Sequence, residues 1–415
     1  MKNFFNAIGV ADMEKVHSAM IAWILDDAND NNSLDGNFKT FPLKQRSMLL
    51  CKMFGLNEIE FKTIHTYVEW KDIDIMIKTT DSCDKEEIWV IENKLKSQEH
   101  MSKINEETKD KQSKRIWQTE KYVRVVNADE QYKDKTQHYM LLSLGDDKAK
   151  CSDDLHKWSS YTYKQLVEVL DIIFQAESDS YPLIEEYKNS IKDLVLKLKT
   201  FLDRPADFRH VFQTKMTKDQ KVKSLATNNN LDENEHYIIE NGLETIFQKQ
   251  WLKKMVSIAV DLKKDEALLK KLYDNMVIDE DRGIAEFDYT IATLDEKERN
   301  KDGDLELQVQ FQNGTFKVVV IHKDYRNPKN PVDYRRMIDE GVWKSRFENF
   351  EKKGGDWSLQ KAKGKDNQKA RIALTKKNEK EWYKYKSGEG TEVINWFING
   401  FIESYNIAKN IAQLN

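Results

Sequence analysis

Residues 68–77 read VEWKDIDIMI and residues 88–94 read IWVIENK. In the first run apolar and polar residues alternate, the pattern of a half-buried strand whose successive side chains point to opposite faces. On that reading Asp72 and Asp74 share one face while Ile73, Ile75 and Ile77 take the other. The second run begins β-branched and aromatic and then turns abruptly charged, with Glu92 and Lys94 on one face and Ile91 opposite. The intervening TTDSCDKE reads as a turn, so the two runs form an antiparallel hairpin with a loop longer than two residues. An apolar strand that ends in a charged triplet breaks its own burial rule, and such breaks are most frequent at functional sites.

Working outward, Met13–Asp26 has Val16, Met20, Trp23 and Ile24 at helical spacing, which predicts an amphipathic helix with those residues toward the core. A polar loop occupies 27–37, and a second helix is expected over Leu43–Phe54. After the hairpin come a Lys-rich helical stretch through Tyr122, a buried strand at Tyr139–Leu144, and helices over Tyr163–Phe174 and Ile184–Phe201. The order α, β, β, α, β, α, α predicts an α/β layout, with helices on both faces of a small mixed sheet. Periodicity loosens between Pro205 and Glu235, so the expected division is a domain at 1–205, a junction at 206–235 and an α+β domain at 236–415. In that last part a helix is expected over Leu243–Leu262. Leu305, Leu307, Val309 and Phe311 then alternate with polar residues ahead of Asn313-Gly314, a strong hairpin signal, and Phe316–Ile321 supplies the return strand. A final helix from Thr391 has Ile394, Phe397, Phe401 and Tyr405 on one stripe.

Composition narrows the class. The 415 residues include 67 basic and 71 acidic ones, for a formal charge of -4; binding to nucleic acid would therefore rely on a local patch rather than bulk charge. Three scattered cysteines argue against a disulfide framework or a structural zinc and favour a reducing, cytoplasmic setting. No apolar run approaches the roughly 20 residues that span a bilayer, so no membrane partner is expected.

Asp74, Glu92 and Lys94 suit phosphodiester hydrolysis. Mg²⁺ (or Mn²⁺) prefers hard oxygen ligands and keeps several waters, so one or two carboxylates hold it. The Lys could orient or deprotonate water, or stabilise charge on phosphorus; the residues leave those roles open. A D…ExK spacing alone is also met by ordinary surface ion pairs.

The surroundings add a resemblance. Glu14-Lys15-Val16-His17-Ser18, followed by AMIAWILDD, is similar to the E-x-x-H-S helix of a bacterial branch of the PD-(D/E)XK nuclease superfamily. Ile73-Asp74-Ile75 matches its first strand, and Glu92-Asn93-Lys94 after Trp89-Val90-Ile91 matches its second. Gln118 and Tyr122 match its Q-x-x-x-Y helix. Trp158-Ser159-Ser160-Tyr161 departs from W-x-x-S-Y by one serine, and Glu186-Tyr187 lies in a similar late helix. The likeness spans roughly residues 13–200. It implies a restriction-endonuclease-like fold and a Mg²⁺-dependent nuclease, with DNA as the expected substrate, RNA open, and a defence or restriction role. It selects Asp74 over Asp72, where many relatives have Arg or His, and leaves Asp72 solvated. It implies Asp74, Glu92 and Glu14 near the metal. Gln118 would bond the scissile region or Lys94, and Tyr122 would pack or touch a phosphate. Lys111, Lys114 and Arg115 are candidate phosphate contacts, and His17 is expected to be structural. A homodimer stays open. The rival is a non-catalytic nucleic-acid-binding protein on a retained nuclease fold, against which the complete Asp74, Glu92, Lys94 set speaks.

Residues 352–386 hold twelve Lys or Arg against four acids, among them Lys361, Lys363, Lys365 and Lys369. Trp357, Trp382, Tyr383 and Tyr385 are interspersed. Basic residues mixed with aromatics suit phosphate contact and base stacking; the alternative is a solubilising loop beside buried aromatics.

Overall fold

The alternation at residues 68–77 is realised as two strands. Strand β1 (Phe61–Trp70) and strand β2 (Ile73–Asp81) pair antiparallel, with Trp70 opposite Ile73. Lys71 and Asp72 make the turn, both with positive φ (48° and 69°), the geometry that matches a two-residue hairpin to strand twist. The period of two runs unbroken through such a turn, which is why the sequence reads as one strand. Asp72 is therefore corrected from a strand position beside Asp74 to an exposed turn residue, ion-paired with Lys121 at 2.7 Å.

The computed structural model describes residues 5, 13–30, 40–96, 99, 101–104, 114–145, 147–149, 157–174, 181–213, 216–227, 233–263, 267–275, 277–281, 284–293, 305–322, 342–352, 356–359, 371–376, 381–388 and 390–413. Two units are present, Met1–Lys199 and Thr200–Asn415.

In the first unit β3 (Glu86–Lys94) runs antiparallel to β2, with Ile75 opposite Ile91. Asp81 fixes the loop between them, its Oδ1 accepting from Cys83 N at 2.8 Å and Lys85 N at 2.9 Å. Later strands β6 (Thr136–Ser143) and β7 (Trp158–Thr162) add in parallel, giving the order β1-β2-β3-β6-β7. Parallel neighbours need a crossover, and the chain between β3 and β6 includes α3 (Gln118–Asn127). Tyr122, Val123 and Val126 of α3 pack with Ile73, Met76, Ile88 and Val90 of the sheet. Helices α1 (Glu14–Leu25), α2 (Leu43–Met53), α4 (Tyr163–Phe174) and α5 (Pro182–Asp203) complete the flanking layers. The result is a mixed five-stranded sheet flanked by helices.

Two sequence expectations are corrected here. The Lys-rich stretch is not one helix: β4 (Met101–Ile104) pairs with β5 (Lys114–Trp117), and helix begins only at Gln118. Pairing between segments ten residues apart supplies order that a charged stretch without periodicity does not announce. Lys114 and Arg115 thus stand on a strand, with side chains outside the described residues, as is Lys111 altogether. On α1 the fully buried face is His17, Ser18, Ile21, Ala22, Ile24 and Leu25, while Val16, Met20 and Trp23 are only half-buried. A buried polar pair is tolerated because partners satisfy it: His17 Nδ1 lies 3.2 Å from the Tyr187 hydroxyl, and Ser18 Oγ accepts from Asn93 Nδ2 at 3.0 Å.

The second unit begins with short 3₁₀ turns at Pro205–Asp207 and Arg209–Phe212, then α6 (Lys218–Thr227) and α7 (Glu233–Glu240), so the stretch read as loose contains regular structure. His210 ties these pieces, with Nδ1 3.1 Å from Glu235 Oε2 and Nε2 3.0 Å from Ser224 Oγ. The spacing is that of a nucleophile, base and acid, but Ser224 stands inside a helix whose N–H groups serve the helix itself, so the row acts as a brace. Helices α8 (Glu244–Leu262) and α9 (Ala267–Asn275) follow. An antiparallel sheet of order β12-β13-β11-β10-β9-β8 comes next, formed by β8 (Val277–Asp281), β9 (Ile284–Thr293), β10 (Leu305–Gln312), β11 (Thr315–His322), β12 (Trp357–Leu359) and β13 (Arg371–Lys376). Helices α10 (Val342–Lys352) and α11 (Glu392–Gln413) complete it. Asn313 and Gly314 take positive φ (47° and 78°) between β10 and β11, as the hairpin signal requires. Phe397 and Phe401 of α11 lie against Phe287 of β9.

At Gly400 helix α11 approaches β11 so closely that an added Cβ would come within 2.6 Å of two ring atoms of buried Phe316. A Gly400→Ala substitution should lower stability by about 1–3 kcal/mol through overpacking, offset by at most ~1 kcal/mol of helix propensity. A thermal midpoint equal to or above wild type would show that Phe316 yields freely.

The aromatics of the basic stretch belong to this core. Trp357, Trp382 and Tyr383 are buried, and Trp382 packs against Phe212 and Phe311 at ring distances of 5.0 and 5.4 Å. Their reading as base-stacking platforms is corrected accordingly. Lys361, Lys363, Lys365 and Lys369 lie outside the described residues.

Candidate active site

Central strand β3 is buried along nearly its whole length, yet it ends in Glu92-Asn93-Lys94. Alternation sends Glu92 and Lys94 to one face and Asn93 to the other. Lys94 Nζ lies 2.6 Å from Glu92 Oε1, with the two side chains 8% and 0% exposed. From β2, Asp74 joins them, its Oδ2 accepting the Asn93 N–H at 2.8 Å. Three charged groups thus meet in an interior where unpaired charge is costly.

The electrostatics follow from that crowding. Burial pushes the Glu92 carboxyl up to about 8, the nearby Asp74 carboxylate adds to this, and the Lys94 ammonium opposes it. Burial likewise raises Asp74, against the pull of the Asn93 N–H and Lys94. For Lys94 burial disfavours the charge, but attraction to Glu92 and Asp74 outweighs it and the ammonium is held above its ordinary range. Two buried carboxylates facing one ammonium leave an excess of negative charge. Neither Glu92 oxygen has an aligned hydrogen-bond donor among the described residues, although Lys94 approaches closely. Hard oxygen donors in this state, beside a second carboxylate, fit a divalent cation.

Glu14 stands at the start of α1, where its Oε1 accepts from Leu95 N and Lys96 N at 2.8 Å each. Its charge bears on both Asp74 and Lys94. Gln118 and Tyr122 are one turn apart, and the Tyr122 hydroxyl accepts from Gln118 Nε2 and donates to the Asp72 carbonyl, both at 2.6 Å. Tyr122 is wholly buried; burial, with Glu92 and Asp74 nearby, holds its hydroxyl far above the ordinary range and therefore protonated. Its assignment as a phosphate contact is corrected: the hydroxyl is engaged inside the protein and braces the β1–β2 turn. Gln118 bonds Tyr122 rather than Lys94, and its buried Oε1 has no hydrogen-bond partner among the described residues. Glu186-Tyr187 contributes through Tyr187, the partner of His17.

Sequence reasoning did not single out Tyr163 or the side chain of Asn93, which join below this centre. The structure also brings ligand atoms of Asp26, Asp27 and His65 within 4.8 Å of one another. Those carboxylates already accept from the Thr66 hydroxyl at 2.9 Å and the Ile64 N–H at 3.0 Å, and pair with His65, so this cluster anchors the end of α1 to β1.

A buried D…ExK centre on adjacent strands of a mixed sheet defines a class of phosphodiester-cleaving enzyme. Residues 2–196 match the family model of the PD-(D/E)XK nuclease superfamily, and this part of the chain belongs to that superfamily. Its members are nucleases that generally use divalent metal ions. No curated protein and no solved structure matches the chain. Among the described residues no helix is long and apolar enough to cross a membrane.

Proposed function

We propose that this protein is a Mg²⁺-dependent nuclease that hydrolyses DNA at the Asp74, Glu92, Lys94 centre. The observation that carries the reading is the excess of buried negative charge at Glu92 and Asp74. Those two carboxylates would hold the cation, with Glu14 adding charge at the same end of the strands. When bound, a divalent cation supplies Lewis acidity toward water and toward the phosphate oxygens. Lys94, fixed beside Glu92, presents a positive charge to the phosphorus oxygens as the bond breaks. Gln118 Oε1 is a spare acceptor that can orient a water. The same chemistry serves either backbone, so plasmid DNA, linear DNA and RNA should be tested side by side with Mg²⁺ or Mn²⁺. Cleavage of DNA that disappears in Asp74→Ala supports the proposal; no cleavage of any substrate would sink it. Cutting of RNA alone would keep the centre and change the substrate.

The second unit is proposed to grip the DNA. Its basic stretch has an excess of eight positive charges (twelve basic less four acidic residues). Neutralising Lys361, Lys363, Lys365 and Lys369 together should weaken DNA binding and flatten its salt dependence by up to about three in log–log slope. Unaltered affinity across a salt series would remove this part. A restriction or defence role in a bacterial cytoplasm goes with this reading, and loss of protection against incoming DNA in Lys94→Ala cells is its test.

A further inference from the structure

Asn93 sits between the two charged residues of β3 and is itself wholly buried. While its N–H holds Asp74, its side chain points to the other face and uses every hydrogen-bonding direction of the amide nitrogen. Nδ2 donates to the Glu14 carbonyl at 2.9 Å and to Ser18 Oγ at 3.0 Å, and Oδ1 accepts from the Tyr163 hydroxyl at 2.6 Å. One amide thus fastens the site strand to α1 and to the first residue of α4. Tyr163 is fully buried and its hydroxyl, raised well above its ordinary range by burial, remains a donor. It also lies edge-on to His17 at 5.1 Å.

We propose that Tyr163 is a positioning residue for the cation site: through Asn93 it sets the backbone of β3 so that the Asn93 N–H, Glu92 and Lys94 all face Asp74. This rests on the nuclease reading above. The physical reason is the geometry of one residue with two jobs. The Asn93 N–H and the Asn93 amide belong to the same backbone unit, so a rotation of the amide displaces the bond to Asp74. Loss of the tyrosine hydroxyl leaves Oδ1 buried without its donor, a state that drives the amide to reorient. Partners of this kind, which do not touch the ion but hold its ligands, affect binding through ligand orientation.

A purely structural role for the hydroxyl makes a different prediction, and Tyr187 supplies the control. It is as buried as Tyr163 and its hydroxyl bonds His17, with no bond to Asn93. Full-length wild type, Tyr163→Phe and Tyr187→Phe should be compared by thermal melting, by Mn²⁺ titration without nucleic acid, and by cleavage. Both variants should melt at lower temperature. Tyr163→Phe should in addition bind Mn²⁺ at least about tenfold more weakly, and lower kcat with little change in KM, while Tyr187→Phe binds Mn²⁺ as the wild type does. Equal Mn²⁺ affinity in Tyr163→Phe and wild type, or equal losses in the two variants, overturns the inference alone. A wild type that neither binds Mn²⁺ nor cleaves overturns the nuclease reading and the inference together.

Discussion

A Lys94→Ala protein should cleave DNA about a thousandfold more slowly than wild type while holding Mn²⁺ at least as tightly. The two halves of this expectation have one origin. Lys94 Nζ is 2.6 Å from Glu92 Oε1, so its removal takes the only described positive charge in contact with Glu92 out of the pocket. The remaining carboxylates then attract a cation no less than before. What is lost is a fixed donor aimed at charge that develops on phosphate oxygens, and such a donor in a water-poor site is worth about two to three orders of magnitude. Asp74→Ala should behave differently. It removes a ligand and the acceptor of the Asn93 N–H, so Mn²⁺ affinity and rate should fall together. Single-turnover cleavage with parallel Mn²⁺ titration separates the cases. If Lys94→Ala lost Mn²⁺ binding in step with rate, Lys94 would be holding the ligands rather than stabilising the reaction.

How much of this centre was legible in the sequence depends on the range of the signal. The charged triplet at the end of β3 could be read because it violates burial locally, and the Asn313-Gly314 turn because its backbone demand is local. The two-residue turn at Lys71-Asp72 could not, since its polarity continues the period of the strands on either side. The buried face of α1 was misjudged for a related reason. His17 and Ser18 are polar, and only partners from α5 and β3, at separations of 170 and 75 residues, make their burial affordable. The same holds for Tyr163: seventy residues separate it from Asn93, and helix periodicity assigns it only to a core. Trp357 and Trp382 look alike in sequence whether they stack on bases or pack in a core, and their burial decides for the core. Short-range chemistry was therefore readable, and long-range satisfaction of polar groups was not.

Cation affinity should rise steeply with pH up to about 8, and the folding stability of the metal-free protein should fall over the same range. Both follow from Glu92, whose carboxyl is lifted from 4.5 to about 8 by burial and by Asp74. A ligand carboxyl must lose its proton to bind metal, so Mn²⁺ affinity should change about tenfold per pH unit below the folded value and level off above it. The sign for stability is opposite to that of a salt-bridged acid. Between the two values the folded state holds a proton that the unfolded state has released, so stability is greatest below the unfolded value and declines as pH rises toward 8. The whole decline is on the order of 5 kcal/mol at 1.36 kcal/mol per unit, as an upper bound for a coupled pair. Glu92→Gln removes the titrating group and most of the repulsion with Asp74. Its denaturant midpoint should vary much less than that of wild type between pH 5 and 8, and relative to wild type the variant should gain stability at the alkaline end while cleavage and Mn²⁺ binding are lost. Parallel pH profiles for the two proteins would mean that Glu92 is already ionised in the fold, and the charge excess on which the cation site is argued would be gone.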